Sequence, residues 1–360
     1  MIADRPRYAA DDLRRFVTEV FVRLDVPQED ARVGAETLVH ADLLGIDSHG
    51  VAHLARHPGY VVGLRGGWVN PRPEVRVLRE TPSTVALDAD GGLGVAVAPR
   101  AMARALDKAA AVGCGFAAVR NSRHIGAAAH YSLMALDRGM IGIAMCNGPG
   151  TAMVPTFGRE ARLSTNPMSV AAPARQGAPF MMDFGTTVVA GGKMELALRD
   201  HRPVPAAWLR DKDGQPSTDP RDFFAGGTIP PLGGDAETGG YKGYALAVMV
   251  DVLSGVLSGT GYGAMLTLQT QGVFLGAWQV EAFLPVGDFT SMLDKALGTL
   301  RETPPADGHD RVLTPGEREW STQEERSRLG IPLHPTVAEE LREVGAELGV
   351  GFPSAVPVPG

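Results

Sequence analysis

Histidines carry the first chemistry in this chain. "DSHGVAHLARH" holds Asp47, His49, His53 and His57, the three imidazoles at intervals of four, and "NSRHIGAAAHY" places His124 after the apolar run "GFAAV". Residues four apart share a helix face, so His49, His53 and His57 on one helix would suit a shared zinc ion. No HExxH accompanies them. His49 also follows the helix-breaking "GIDS" turn, and loops carry function. His124 stands at a strand-to-helix junction, where open α/β sheets present groups to ligands. For each, packing as a structural histidine is the plain alternative. The chemistry such rings serve is proton transfer near neutral pH.

The glycine-rich text divides into a weak and a better signal. "DADGGLGVAVA" lacks the G-x-G-x-x-G spacing and the later acidic residue of a dinucleotide fingerprint. "PLGGDAETGGYKGYALAVMV" puts Lys242 at a helix start, where amide donors and the dipole favour a phosphate; a solvated lysine at an ordinary helix entry is its alternative. "LSTNPMSVAAP" and "MDFGTTVVAGGK" set Thr, Asn and Asp at strand ends, suited to a carboxylate or a ribose, or simply to turns. No nucleophile elbow, Walker A, CxxC or kinase pattern occurs.

These residues need elements to position them. Leu13, Phe16, Val17, Val20, Phe21 and Leu24 fall on one face of an opening helix, and Pro27 opens a second that runs to Gly45. A short helix resumes after "GIDSHG" and is broken around Pro58, and no strand is expected before about residue 75. Then β-branched runs at 74–78, 83–88, 115–119, 141–146, 168–173 and 179–183 alternate with helices at 95–112, 125–138 and 187–199. "YKGYALAVMVDVLSGVLSG" reads as one long helix, and 338–349 as a charged one. The pattern divides the chain into a helical domain of 1–75 with 300–360 and an α/β domain of 76–299.

Composition narrows the partners. The chain has 360 residues, net charge -7 and no Lys/Arg block, which argues against nucleic acid or an anionic membrane as partner and leaves small molecules. Its two cysteines, Cys114 and Cys146, sit in apolar contexts that suit reduced thiols. The charged N-terminal stretch is unlike a signal peptide, and "YALAVMVDVLSGVLSG" is too short to span a bilayer. A cytoplasmic chain is the expectation.

In order, "DSHGV", "NSRHIG", "STNPMSVAAP", "MDFGTTVVAGGKMELA", "PLGG…GGYKGYALAVMVDVLSG" and the late "TPGERE" resemble the malate/L-lactate dehydrogenase family of the non-Rossmann type. Its members also act on sulfolactate, ureidoglycolate, diketogulonate and cyclic imino acids such as piperideine-2-carboxylate. The resemblance implies an α/β, non-Rossmann fold with a central cofactor domain and a helical domain built from both chain ends. It further implies a homodimer that uses NAD or NADP to move a hydride to or from C2 of a 2-hydroxy/2-oxo acid or a cyclic imino acid.

By motif match, His49 and His124 are the acid/base candidates, with members of the family assigned one or the other. Ser48, His53, Arg56, Asn147 and Thr165 fall to substrate. Asn166, Asp183, Gly185, Thr186, Thr187, Tyr241, Lys242, Pro315, Gly316 and Glu317 fall to cofactor, and no residue to a metal. Departures accompany the match. His53 stands where the family has arginine, with Arg56 nearby; "LSTNP" replaces "LGTNP"; Arg159 replaces a glycine pair; and "NSRHIG" adds a charge to "NSNHFG". Two other readings remain: a metal-dependent lyase or hydrolase using His49, His53 and His57, and a catalytically silent binding protein.

Overall fold

The computed structural model describes residues 5–55, 59–267 and 270–357. In chain order the elements are β1 (Arg7–Tyr8), α1 (Ala10–Arg23), α2 (Gln28–Leu43), α3 (Ala52–Ala55), α4 (Tyr60–Arg65), β2 (Arg76–Glu80), β3 (Thr84–Asp88), α5 (Gly94–Val112), β4 (Cys114–Ser122) and α6 (Ala129–Leu133). There follow β5 (Met140–Cys146), β6 (Met168–Ala172), β7 (Phe180–Phe184), α7 (Gly192–Arg199), α8 (Arg221–Phe224), α9 (Gly240–Val250), β8 (Gln271–Gln279), α10 (Val286–Arg301), α11 (Glu317–Leu329), β9 (Ile331–Pro332) and α12 (Pro335–Leu348).

Seven strands form one sheet in the order β2-β3-β4-β8-β5-β6-β7; β3 and β4 are parallel and the other neighbours antiparallel. β8, in the middle, is absent from the strands expected above. Gly276 of this strand lies opposite Phe116, and a Cβ there would come within 2.2 Å of that ring. The strand needs glycine in order to pair.

The two largest hydrophobic clusters among the described residues join the elements. In one, Leu13, Phe16, Val17, Val20 and Phe21 of α1 bury against α2 and against Ile331, Val337 and Leu341 from the other chain end. The other packs Met102, Ala105 and Leu106 of α5 on Ala117, Val119, Val273 and Leu275 of the sheet. α5 belongs to both, through Val95 and Val97. Pro99 lies inside α5 and has no N–H for the Val95 carbonyl; Thr37 of α2 donates its hydroxyl to that oxygen at 3.0 Å.

Several expected boundaries shift. β1 is a strand far before residue 75, extended because it pairs with β9 at the other end of the chain. α2 ends at Leu43 rather than Gly45, which takes a positive φ of 80°. The helix expected at 125–138 begins only at Ala129 and passes into a 3-10 turn at Leu136–Arg138. Gly126 at φ 71° holds the preceding segment out of the helix. The helix expected from 187 begins at Gly192, because Thr187 bridges Pro231 instead. α9 is not α-helical throughout its expected length: Asp251–Val256 is a π-helix, with buried Asp251 held by Asn147.

Candidate functional site

His124 is delivered by the segment that leaves β4. Arg123, the added charge of the motif, turns away and donates from Nε to Trp68 O at 2.7 Å and from Nη1 to Asn121 Oδ1 at 3.2 Å. Ile125 N donates to Gln271 Oε1 at 3.2 Å. Beneath this segment lies the start of α5, where a Cβ on Gly94 would fall 2.0 Å from Arg123 O and 2.4 Å from His124 O. Only a glycine lets the helix approach so closely. Two groups meet the His124 ring at Nδ1: Tyr60 Oη lies 2.7 Å away, and Gly126 N donates at 3.2 Å.

The "DSHG" segment comes from the other cluster. Asp47–His49 is a 3-10 turn and Ala52–Ala55 a separate short helix, so His49 and His53 do not share one continuous helix as a three-histidine face would require. Arg326 of α11 donates to Asp42 O at 2.5 Å and to the Asp47 carboxylate. Asp42 accepts from Val51 N at 2.7 Å. Burial, with Asp47 nearby, raises its carboxyl well above the usual range. Ser48 Oγ lies 2.9 Å from His49 Nδ1.

The fold brings these segments together as a stack of rings. His124 and His53 are 4.1 Å apart between centroids at 15°, and His124 and His49 are 5.5 Å apart at 23°. Tyr60 meets His53 edge-on at 5.1 Å. Tyr60 was not among the expected site residues; the only sequence signal for it is an aromatic residue shortly after the "DSHG" loop. Arg56, His57 and Pro58, part of the sequence expectation, lie outside the described residues. Among the described residues, no group of three or more His, Cys, Asp or Glu is arranged to hold a metal.

A second set of expected residues gathers at the ends of β6 and β7. Thr165 O accepts from Thr186 N at 2.8 Å and from its hydroxyl at 3.0 Å, while a Cβ on Gly185 would lie 3.2 Å from the same oxygen. Thr187 Oγ1 donates to Val189 O at 2.8 Å. Asn166, buried and at φ 35°, donates from Nδ2 to Ala247 O at 2.8 Å. Its Oδ1 is buried without a hydrogen-bond donor among the described residues.

Asn147 is used within the fold. Its amide donates to Asp251 Oδ1 at 2.6 Å and Gly261 O at 3.0 Å, and accepts from Gly272 N at 2.9 Å. Glu317 is likewise engaged: it accepts from Thr314 N and Oγ1 at 3.1 and 3.0 Å and pairs with Arg301 and Arg311. Burial opposes its charge, but these donors and cations hold it below the usual carboxylate value. Pro315 O accepts from Met181 N at 3.4 Å, and Gly316 packs on Met181 at φ 91°. That turn therefore borders β7 beside Asp183. Tyr241 and Lys242 stand apart, exposed on the first turn of α9, with Lys242 Nζ 5.7 Å from the Tyr241 ring centre. Gly243 of the same helix packs on the Leu232 backbone, and Leu232 N donates to Thr186 O at 2.8 Å.

Asp183 keeps some residue exposure, but protein encloses its carboxyl, and burial raises it to about 7 against the opposing Ala129 N–H. Burial, with Asp183 near, pushes the Cys146 thiol up to about 12, so it is an inert thiol. The folded chain holds the Asp183 proton to about pH 7, while the unfolded chain releases it near the ordinary carboxylate value. Stability from this group therefore falls as pH rises between those two values and is level above them. Asp183→Asn is expected to raise the melting temperature of the ligand-free chain at about pH 8, with the gain shrinking toward about pH 4. Parallel melts with no pH-dependent difference would contradict this.

A family model described as malate/L-lactate dehydrogenase matches residues 8–342. The malate dehydrogenase of Pyrococcus abyssi is 39% identical over 96% of this chain and 95% of that protein. The L-sulfolactate dehydrogenase of Methanocaldococcus jannaschii is 35% identical over 94% and 96%. Among solved structures, malate dehydrogenase from Pyrococcus horikoshii OT3 superposes with a TM-score of 0.90 at 37% identity, covering 97% of each chain. The delta1-piperideine-2-carboxylate reductase from Pseudomonas syringae pvar. tomato does so at 0.80 and 27%, covering 94% of this chain and 99% of that one. The chain belongs to the malate/L-lactate dehydrogenase family.

Proposed function

We propose that this chain moves a hydride between a nicotinamide cofactor and C2 of a small 2-hydroxy/2-oxo acid or cyclic imino acid. The observation that carries the reading is membership, over residues 8–342, of a family with malate and sulfolactate dehydrogenases and an imino acid reductase among this chain's relatives. The site supports it, since hydride transfer to a carbonyl leaves an oxygen that must be stabilised and protonated. His49 and His124 offer two imidazoles at one point, each with an assigned hydrogen-bond partner.

The residues fit a nicotinamide group. The buried, donor-less Oδ1 of Asn166 suits a carboxamide N–H, and Thr165, Gly185, Thr186 and Thr187 form the wall beside it. When bound, the cofactor supplies or accepts the hydride. The chain's own part is to hold Asp183 and the Pro315–Glu317 turn along one border, offer Lys242 to phosphate, and place His53 or Arg56 for a substrate carboxylate beside Ser48. Protonated imidazole binds a carboxylate only over part of the pH range, unlike guanidinium, so His53 and Arg56 would impart different pH dependence to substrate affinity.

The test is a panel of 2-oxo acids and cyclic imines run with NADH and with NADPH, followed by cofactor absorbance. Turnover in one column names the substrate class and the cofactor together; no turnover anywhere, with cofactor still bound, favours a silent binding protein. Lys242→Ala is expected to raise the cofactor KM with little change in kcat at saturation, because its charge would bind phosphate equally in ground and transition states. An unchanged KM removes Lys242 from the site.

A homodimer forms part of the same proposal. Tyr241, Val248, Val252 and Val256 expose a stripe along α9 and its π-helical extension, flanked by Leu257, Tyr262 and Met265, an apolar patch of the kind that marks a protein contact. Sedimentation at twice the chain mass is the expected result, and a monomer would refute it. Cys114 and Cys146 are both free thiols, which suits the cytoplasm proposed as its location. Among the described residues, no helix is long and apolar enough to cross a membrane.

A further inference from the structure

We propose that Tyr60 is a positioning residue that, with the Gly126 amide, locks His124 in the tautomer carrying its proton on Nε2. His124 then offers a hydrogen bond to the substrate's C2 oxygen, while His49 exchanges the proton. The inference deepens the reading above and rests on it for its catalytic part. The tautomer itself follows from two contacts. The backbone N–H of Gly126 can only donate, and it points at Nδ1 from 3.2 Å, so Nδ1 is the acceptor nitrogen. The Tyr60 hydroxyl, 2.7 Å from the same atom, is then a donor as well. In a neutral imidazole whose Nδ1 accepts, the remaining proton sits on Nε2.

This division of labour settles what each ring can do. A ring with its proton on Nε2 has no lone pair there to take the proton of a substrate hydroxyl. It can hold an N–H toward an oxygen on which negative charge develops, as an oxyanion donor does. Shedding that proton would leave an imidazolate unless Tyr60 gave up its own, and Tyr60 is buried. Moving the proton to Nδ1 would set it against the Gly126 N–H.

His49 bonds at Nδ1 to a side chain whose direction can change. Its Nδ1 faces the Ser48 hydroxyl at 2.9 Å, a group that donates or accepts by rotating its hydrogen, so either tautomer keeps that bond. In reduction, the C2 carbonyl gains hydride and becomes an alkoxide held by His124 Nε2–H. It then takes a proton from the His49 imidazolium, leaving neutral imidazole and alcohol; oxidation reverses each step.

The test is the 15N spectrum of histidine-labelled protein without ligand, with the His124 signals assigned by their loss in His124→Asn. The expected result is a protonated Nε2 and a hydrogen-bonded acceptor Nδ1 in the wild type, with the Nδ1 signal displaced in Tyr60→Phe, which keeps the ring packing. A proton found on Nδ1, or spectra of wild type and Tyr60→Phe that coincide, overturns the lock. Because this readout needs no substrate, it stands or fails separately from the activity panel. On a substrate found there, Tyr60→Phe is expected to lower kcat about tenfold, less than the roughly 10²- to 10⁴-fold that a positioned acid or base itself contributes, with the cofactor KM unchanged. An unaltered kcat overturns the catalytic part.

Discussion

Replacing His124 by alanine is expected to leave a folded chain that still binds cofactor while kcat falls by about 10²- to 10³-fold, the usual loss on removing one donor aimed at developing charge. The side chain sits between two separately built structures: its backbone leaves β4, and its ring rests on His53 at 4.1 Å and bonds to Tyr60 at 2.7 Å. The Thr165–Thr187 wall is held by its own hydrogen bonds, so cofactor affinity measured by fluorescence titration should persist. His49→Ala is the companion measurement, because a ring that exchanges a proton and a ring that donates a hydrogen bond are both required in one turnover. Near-normal kcat for His124→Ala would move both roles to His49 and discard the stack as the reacting centre.

Gly94→Ala is expected to damage stability and turnover together, although residue 94 touches no substrate. The added methyl would meet the carbonyl oxygens of Arg123 and His124 at 2.0 and 2.4 Å. These are backbone atoms tied down through Trp68 and Gln271, so they cannot swing aside as a flexible side chain would. Overpacking of this kind costs about 1–3 kcal/mol, seen as a lowered melting temperature. A displacement of about 1 Å at a reacting group can cost about 10²-fold in rate, so kcat should fall even at temperatures where the variant is fully folded. A variant with wild-type melting and wild-type kcat would show that α5 does not set the position of His124.

Legibility in the sequence varied with the range of the interactions involved. The α1 face was readable because Leu13, Phe16, Val17, Val20 and Phe21 repeat at helical spacing and all bury on one side. His49 and His124 stood out through their local turn and strand-end settings, and the motifs around them named the family later found by comparison. β1 could not be read, since a strand of two residues exists only because Ile331–Pro332 lies beside it. β8 was hidden because Gly276 looks like a break until Phe116 occupies the space across the sheet.

The residue types and the motif order, written in the chain itself, pointed to the class of chemistry: imidazoles for proton work or a metal, strand-end hydroxyls and amides for a polar ligand, and no nucleophile-elbow, Walker A or CxxC pattern. Tertiary structure alone decided which of these groups meet. It placed His53 and Tyr60 against His124 across more than sixty residues of chain, and it committed the Asn147 amide to Asp251 and Gly272. Hydrogen-bond direction is the physical reason the last step needs coordinates. A histidine in sequence is two equivalent possibilities, and only a backbone N–H fixed in space, here that of Gly126, makes one nitrogen the acceptor and leaves the proton on the other.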